Sequence, residues 1–338
     1  MKKLLLISIA LLMAANSFAL EYEPTWRRAD MYPITMLKIS TSTVKDYSKL
    51  RGSGKTPTDL PDAEKMANAF YKYMEASYKK RYPKYETIRP YNLRESAPEE
   101  YNKPTVANYR KSQLYHSNVI YFNGHGNQQT LSFSDERMLI GEKAYGGDIK
   151  WVFIDACNVL NVNKAGQLNK GPAETYWDRT YEKREDLGGG RVRITTYPGR
   201  YDLLKDAFIG VHAILGYYSF SPSVPGVEAK YKYFAQYFIE EDMQVWEAYK
   251  KAHKRFYEDV KDVEYLDATD GSKVKLAYEP AIAYIKGTDQ YGRLHDGSTE
   301  KISSTYEVAM DPRNLKKYSK LKYEVKLLSQ KYGVPRYN

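Results

Sequence analysis

Two short runs constrain the fold of this chain more than anything else in it: Val119–Asn127 (VIYFNGHGN) and Trp151–Val159 (WVFIDACNV). Each opens with four consecutive apolar or aromatic residues and shows no polar alternation. A strand with one wet face alternates, whereas a strand apolar on both faces belongs in a sheet covered on both sides, which is the parallel arrangement. Ile34–Ile39, Phe208–Tyr217 and Pro280–Lys286 read as further strands. Pro61–Lys79 repeats Ala63, Met66, Ala67, Phe70, Tyr71 and Met74 at helical spacing. A second helix falls within Tyr101–His116, interrupted by Pro104, and Met243–Val260 is the clearest part of a long helical region. Strands separated by helices predict an α/β fold: a three-layer sandwich with a mostly parallel central sheet and helices on both faces.

The amino terminus is a targeting signal rather than part of that fold. Lys2 and Lys3 precede the apolar stretch Leu4–Met13, and Ser17-Phe18-Ala19 supplies small residues where a signal peptidase cuts. Residues 1–19 are therefore expected to be removed and the chain to be exported, secreted or periplasmic. The apolar run is too short for a membrane span. Residues 20–310 read as one domain with its core at about 119–288. The polar, glycine-containing stretch 171–200 is expected to be a loop insertion. Residues 311–338 form a basic tail with an expected helix at Leu315–Lys331.

Removing Lys2 and Lys3 lowers the formal net charge from +10 to +8. Basic charge favours anionic partners, among them cell-surface polymers. Nucleic acid is not expected of an exported chain that lacks a binding motif. Nucleotide is not expected either. Gly52-Ser53-Gly54-Lys55-Thr56 imitates a phosphate loop, but Lys49 stands where its first glycine belongs and no buried strand precedes it. His116 and His212 have no metal-ligand spacing around them, so no cofactor is expected. A structural or activating calcium on acidic loops stays open.

With one cysteine in 338 residues, the chain makes no internal disulfide. In an oxidising compartment a single thiol is buried and inert, paired with another molecule, or kept because it reacts. Cys157 and His125 stand just beyond the carboxyl ends of two consecutive strands of one kind, the edge of an open parallel sheet where ligands bind. A thiolate is a nucleophile, and an imidazole beside it can accept the thiol proton and return it to a leaving amine. Gly126, lacking a Cβ, lets its backbone N–H approach a substrate, where it and the Cys157 N–H could hold an oxyanion. Against this stands the ordinary reading of a small core cysteine and a His-Gly turn.

The two blocks, apolar then His-Gly and apolar then Ala-Cys, resemble the caspase-like superfamily of cysteine peptidases, which includes caspases, metacaspases, legumains, clostripain and gingipains. YFNGHG and Asp155-Ala156-Cys157 are most similar to the metacaspase form, with Asn123 in place of a serine. The resemblance covers about residues 119–218. It implies a Cys157–His125 dyad hydrolysing peptide bonds in protein or peptide substrates, with Gly126 as an oxyanion donor. It further implies Asp155 lining a pocket for Arg or Lys before the scissile bond, and Ser219 in a pocket wall. One departure is that the family usually carries a glycine two or three residues after the cysteine, where this chain reads Asn158-Val159-Leu160. The rival reading is a non-catalytic binding protein on the same fold, acting at the cell surface.

Overall fold

The computed structural model describes residues 35–41, 60–83, 88–94, 96–112, 117–127, 130–140, 149–161, 181–186, 192–197, 207–208, 211–222, 224, 226–266, 273–288, 294–303 and 322–333. The signal segment, the Gly52–Thr56 loop and His116 lie outside them.

The chain begins with β1 (Thr35–Ser40), α1 (Ala63–Arg81) and β2 (Arg89–Arg94). Pro104 separates a short 3₁₀ turn, Glu100–Asn102, from α2 (Val106–Ser112). Next come β3 (Val119–Asn123) and three short strands, β4 (Gly126–Asn127), β5 (Thr130–Ser132) and β6 (Arg137–Leu139). β7 (Trp151–Asp155) precedes a hairpin of β8 (Tyr181–Asp186) and β9 (Val192–Tyr197), then β10 (Ala213–Tyr217). Helix α3 (Ala229–Ala235) runs through a π turn, Gln236–Glu240, and α4 (Val245–Val260) follows. The remaining strands are β11 (Glu264–Leu266), β12 (Lys273–Lys275), β13 (Pro280–Thr288), β14 (Leu294–Asp296) and β15 (Lys322–Ser329).

Eight strands form the central sheet, in the order β14-β13-β10-β7-β3-β1-β2 with β15 on the other edge of β13. β2, β1, β3, β7 and β10 are mutually parallel, and β13 runs against them. The fold is therefore α/β on a mostly parallel, mixed sheet. β1 connects to β2 through α1 on one face, and β3 connects to β7 through β4–β6 on the other. Stepping in opposite directions over opposite faces keeps one hand of crossover, and the strand order reverses between β1 and β3.

The two faces differ in what covers them. Met36, Tyr121, Trp151, Phe153 and Leu215 pack against α1, α3 and α4 through Phe70, Phe234, Phe238 and Tyr249. Leu37, Phe122, Val152 and Ile154 on the opposite face meet Tyr109 of α2, Leu131, Phe133 and Met138 of the small antiparallel sheet, and Phe208. Among the described residues, then, helices dominate one face while one short helix and a three-stranded sheet cover the other. Thr105 and Asp135 fix that helix: the Asn108 N–H donates to Thr105 Oγ1 at 3.1 Å and the Val106 N–H to Asp135 Oδ1 at 2.9 Å.

Two expectations change. The 171–200 stretch contains a paired hairpin, in which Val192 and Ile194 flank Arg193 on a strand that pairs with 181–186. The tail carries a strand, β15, where a helix was expected. Tyr323, Val325 and Leu327 recur with period two, and all eight residues of β15 pair antiparallel with β13.

Candidate active site

β3 and β7 are neighbours in register, with Asn123 opposite Asp155, so His125 and Cys157 each stand two residues beyond one matched pair. The turns bearing them are in contact. A Cβ at position 126 would come within 2.6 Å of Val159 Cγ1 and 2.8 Å of Ala156 Cβ, closer than real Cβ atoms approach. Glycine at 126 is thus required by the fit of the histidine's turn against the cysteine's. The Gly124 N–H donates to the Asp155 carbonyl at 3.3 Å, while the His125 carbonyl accepts from the Ser132 N–H at 2.9 Å on the other side.

The cysteine turn is pinned to the end of β10. The Asn158 N–H donates to the Ser219 carbonyl at 2.7 Å and the Leu160 N–H to the Tyr217 carbonyl at 3.0 Å. Asn158 has φ of 55°, a left-handed conformation that asparagine tolerates better than most side chains. The left-handed residue of this turn is thus the one directly after Cys157, while Val159 and Leu160, where the departure noted in the sequence falls, are buried apolar residues. Ser219, expected in a pocket wall, sits beside this turn, but its hydroxyl accepts from the Glu279 N–H at 2.7 Å and so ties β10 to β13.

Cys157 is half-buried, and its Sγ accepts from the Ser221 N–H at 3.4 Å. Burial pushes the thiol above its ordinary range and Asp155 adds to this, while the Ser221 N–H and Lys230 oppose it. In the free protein the thiol is therefore disposed to keep its proton at neutral pH.

Asp155 occupies a different environment from the open acidic pocket expected of it. It is buried, and its carboxylate faces the helix side of the sheet among Lys230, Tyr231, Tyr121 and Ser221. Lys230 Nζ lies 2.9 Å from Oδ2 and 3.1 Å from Oδ1, and donates a further bond to Tyr217 Oη at 2.8 Å. The Ser221 and Tyr231 hydroxyls donate to the same carboxylate. Tyr121 donates to Tyr231 Oη at 2.7 Å and accepts from Asn123 Nδ2 at 3.3 Å. Burial alone would raise the Asp155 carboxyl, but the Lys230 ammonium and these donors hold it below the ordinary carboxylate range. The rings of Tyr231 and Tyr217 lie 4.9 and 5.2 Å from the ammonium. The negative charge is thus matched from within and is not offered to a ligand.

Sequence reasoning missed Lys230, Tyr231 and Ser221. A signal for the lysine exists: Val227, Tyr231, Phe234 and Phe238 form an apolar stripe at helical spacing, and Lys230 interrupts it. Below Lys230 a cavity of about 20 Å³, enough for one water, is lined by Asp155, Tyr217, Tyr249, His253 and their neighbours. His212 does not join His125. It immediately precedes β10, at the opposite end of the sheet, and pairs with Glu300. Among the described residues no helix is long and apolar enough to cross a membrane, and no three His, Cys, Asp or Glu side chains group as metal ligands.

Compared with known proteins, the chain matches no family model and no curated sequence.

Proposed function

We propose that this chain is an exported thiol hydrolase of the caspase-like kind, cleaving peptide bonds with Cys157 as nucleophile and His125 as general base and acid. The observation that carries the reading is the register of β3 and β7, which brings the two turns together at the carboxyl edge of a parallel sheet. Because the resting thiol keeps its proton, its activation falls to substrate binding. His125 takes the Sγ proton as sulfur attacks the carbonyl carbon, and the carbonyl oxygen becomes an oxyanion. The Gly126 N–H, on the turn that meets the cysteine's turn, would serve that oxyanion together with the Cys157 N–H. Collapse expels the amine, which receives the proton from His125, and leaves a thioester on Cys157. Water, deprotonated by His125, then releases the acid and restores the thiol.

A preference for Arg or Lys loses its physical basis, since Asp155 is already neutralised by Lys230. Phe220, 57% exposed, lies between Ser219 and Ser221, the two residues whose backbones bond to the Cys157 turn. It favours an apolar or aromatic group on the substrate.

Cleavage of a fluorogenic peptide library by the mature protein tests the reading, with Cys157→Ala and His125→Ala alongside. Activity abolished in both variants is expected, with apolar residues favoured near the cut. Absence of cleavage under all conditions, limited proteolysis and added calcium included, would favour the binding-protein reading, which the proton-retaining thiol also suits.

A further inference from the structure

Resting on the nucleophile role proposed for Cys157, we infer that Ser221 is a further catalytic residue, its backbone N–H stabilising the thiolate, and that Asp155 and Lys230 are the pair that positions it. Ser221 makes two bonds in two directions. Its N–H points at Cys157 Sγ from 3.4 Å, and its hydroxyl donates to the buried Asp155 carboxylate. Pro222 follows and keeps the Ser221 backbone extended. The hydroxyl bond thus fixes where the N–H aims, and Asp155 can serve as anchor only because Lys230, itself 2% exposed, neutralises it.

Position separates this role from plain packing. Asp155 ends β7 two residues before Cys157, so the anchor and the thiol belong to one short rigid segment. Lys230 comes from α3 on the helix-covered face, and Tyr231 donates to the carboxylate while itself accepting from Tyr121. The charged and titratable groups around the thiol are His125 after β3, Asp155 on β7, Lys230 on α3 and, through Ser219, Glu279 before β13. Of these, Asp155 and Lys230 act on the thiol with opposite sign. Asp155 disfavours the thiolate and Lys230 favours it, while the Ser221 N–H is the group that favours it by direct contact with the sulfur.

The test reads the thiol itself and needs no turnover: the rate of iodoacetamide alkylation of Cys157 as a function of pH, in the full mature chain. Ser221→Ala keeps the N–H but frees it from its anchor. The midpoint of its profile should move up by about one pH unit, roughly a tenfold slower reaction on the acidic limb. Ser221→Thr retains a hydroxyl and should return the midpoint to the parent value. In a background where Asp155→Leu and Lys230→Met together remove the ion pair without leaving a lone buried charge, Ser221→Ala should have no further effect. Coincident profiles for parent and Ser221→Ala would overturn the inference. So would a shift that Thr does not rescue, or one that persists undiminished in the uncharged background. A shift with rescue in a protein that cleaves no peptide would leave this inference standing and remove the peptidase.

Discussion

The strand β7 carries a buried charge near each end, and the two ends do different work. At its carboxyl end Asp155 is matched by Lys230, and Ser221 connects the pair to the thiol. Immediately before its amino end, about 16 Å away at the usual rise per residue, Lys150 lies 3.5 Å from Glu300, which also pairs with His212. Burial alone would raise the Glu300 carboxyl, yet His212 and Lys150 hold it below its ordinary range. The physics of the two clusters is the same, a buried carboxylate kept ionised by an internal cation. Their reach differs. The loop bearing Glu300 accepts the Val245 N–H at Glu300 and the Trp246 N–H at Ser298, so this cluster fastens the start of α4 to the sheet. The lesson is that strand polarity separates the cluster that fastens the fold from the one beside the candidate site, because ligands bind at the carboxyl edge of an open parallel sheet.

Breaking the carboxyl-end pair should have the largest effect. Lys230→Met leaves the Asp155 charge uncompensated in the interior, and urea unfolding should show a loss of about 3–5 kcal/mol. Adding Asp155→Leu should recover most of that stability without recovering peptide cleavage. Glu300→Gln, at the other end, keeps a side chain of the same shape and should cost about 1–3 kcal/mol while the alkylation profile of Cys157 stays that of the parent. Loss of thiol reactivity there would erase the distinction between the two ends.

Acid sharpens the comparison further. Asp155 and Glu300 both have folded values below their unfolded ones, so their contribution is present above about pH 4 and is lost as pH falls through the folded values. His253, buried beside the cavity and held well below the ordinary imidazole value by burial and then by Lys230, must stay neutral in the fold. Its contribution is present above about pH 6.5 and declines below it, by at most about 1.4 kcal/mol per pH unit. His253→Phe should therefore flatten the stability profile between about pH 6.5 and 5, leaving the decline below pH 4 intact. The smallest change expected is for Tyr121→Phe, which removes one hydroxyl from the carboxyl-end network. It should cost about 1 kcal/mol in urea unfolding and leave the thiol profile nearly unmoved.

The central strands were legible in the sequence because β3, β7 and β10 are apolar on both faces, a pattern that only full burial explains. β2 (RPYNLR) was not, since an edge strand has one unpaired side and tolerates a proline and charges. β15 was misread because Lys322–Ser329 is rich in residues that also suit helices, and its pairing with β13 overrides that preference. In the candidate site, Cys157, His125 and Gly126 announced themselves through strand-end position. The partner of Asp155 did not, because Lys230 is 75 residues away and is brought in by helix packing that no local pattern encodes. Local pattern marked the candidate groups; that the Asp155 charge is satisfied internally depended on the tertiary fold.

The most direct test of the account is intact-mass spectrometry of the mature protein mixed with a p-nitrophenyl ester of an aromatic amino acid, run beside Cys157→Ala and His125→Ala. A single acyl group on Cys157 that forms and then disappears in the parent, never forms in Cys157→Ala and turns over far more slowly in His125→Ala is the predicted result. Ester hydrolysis at the same rate in all three proteins, with no acyl group on Cys157, would contradict it.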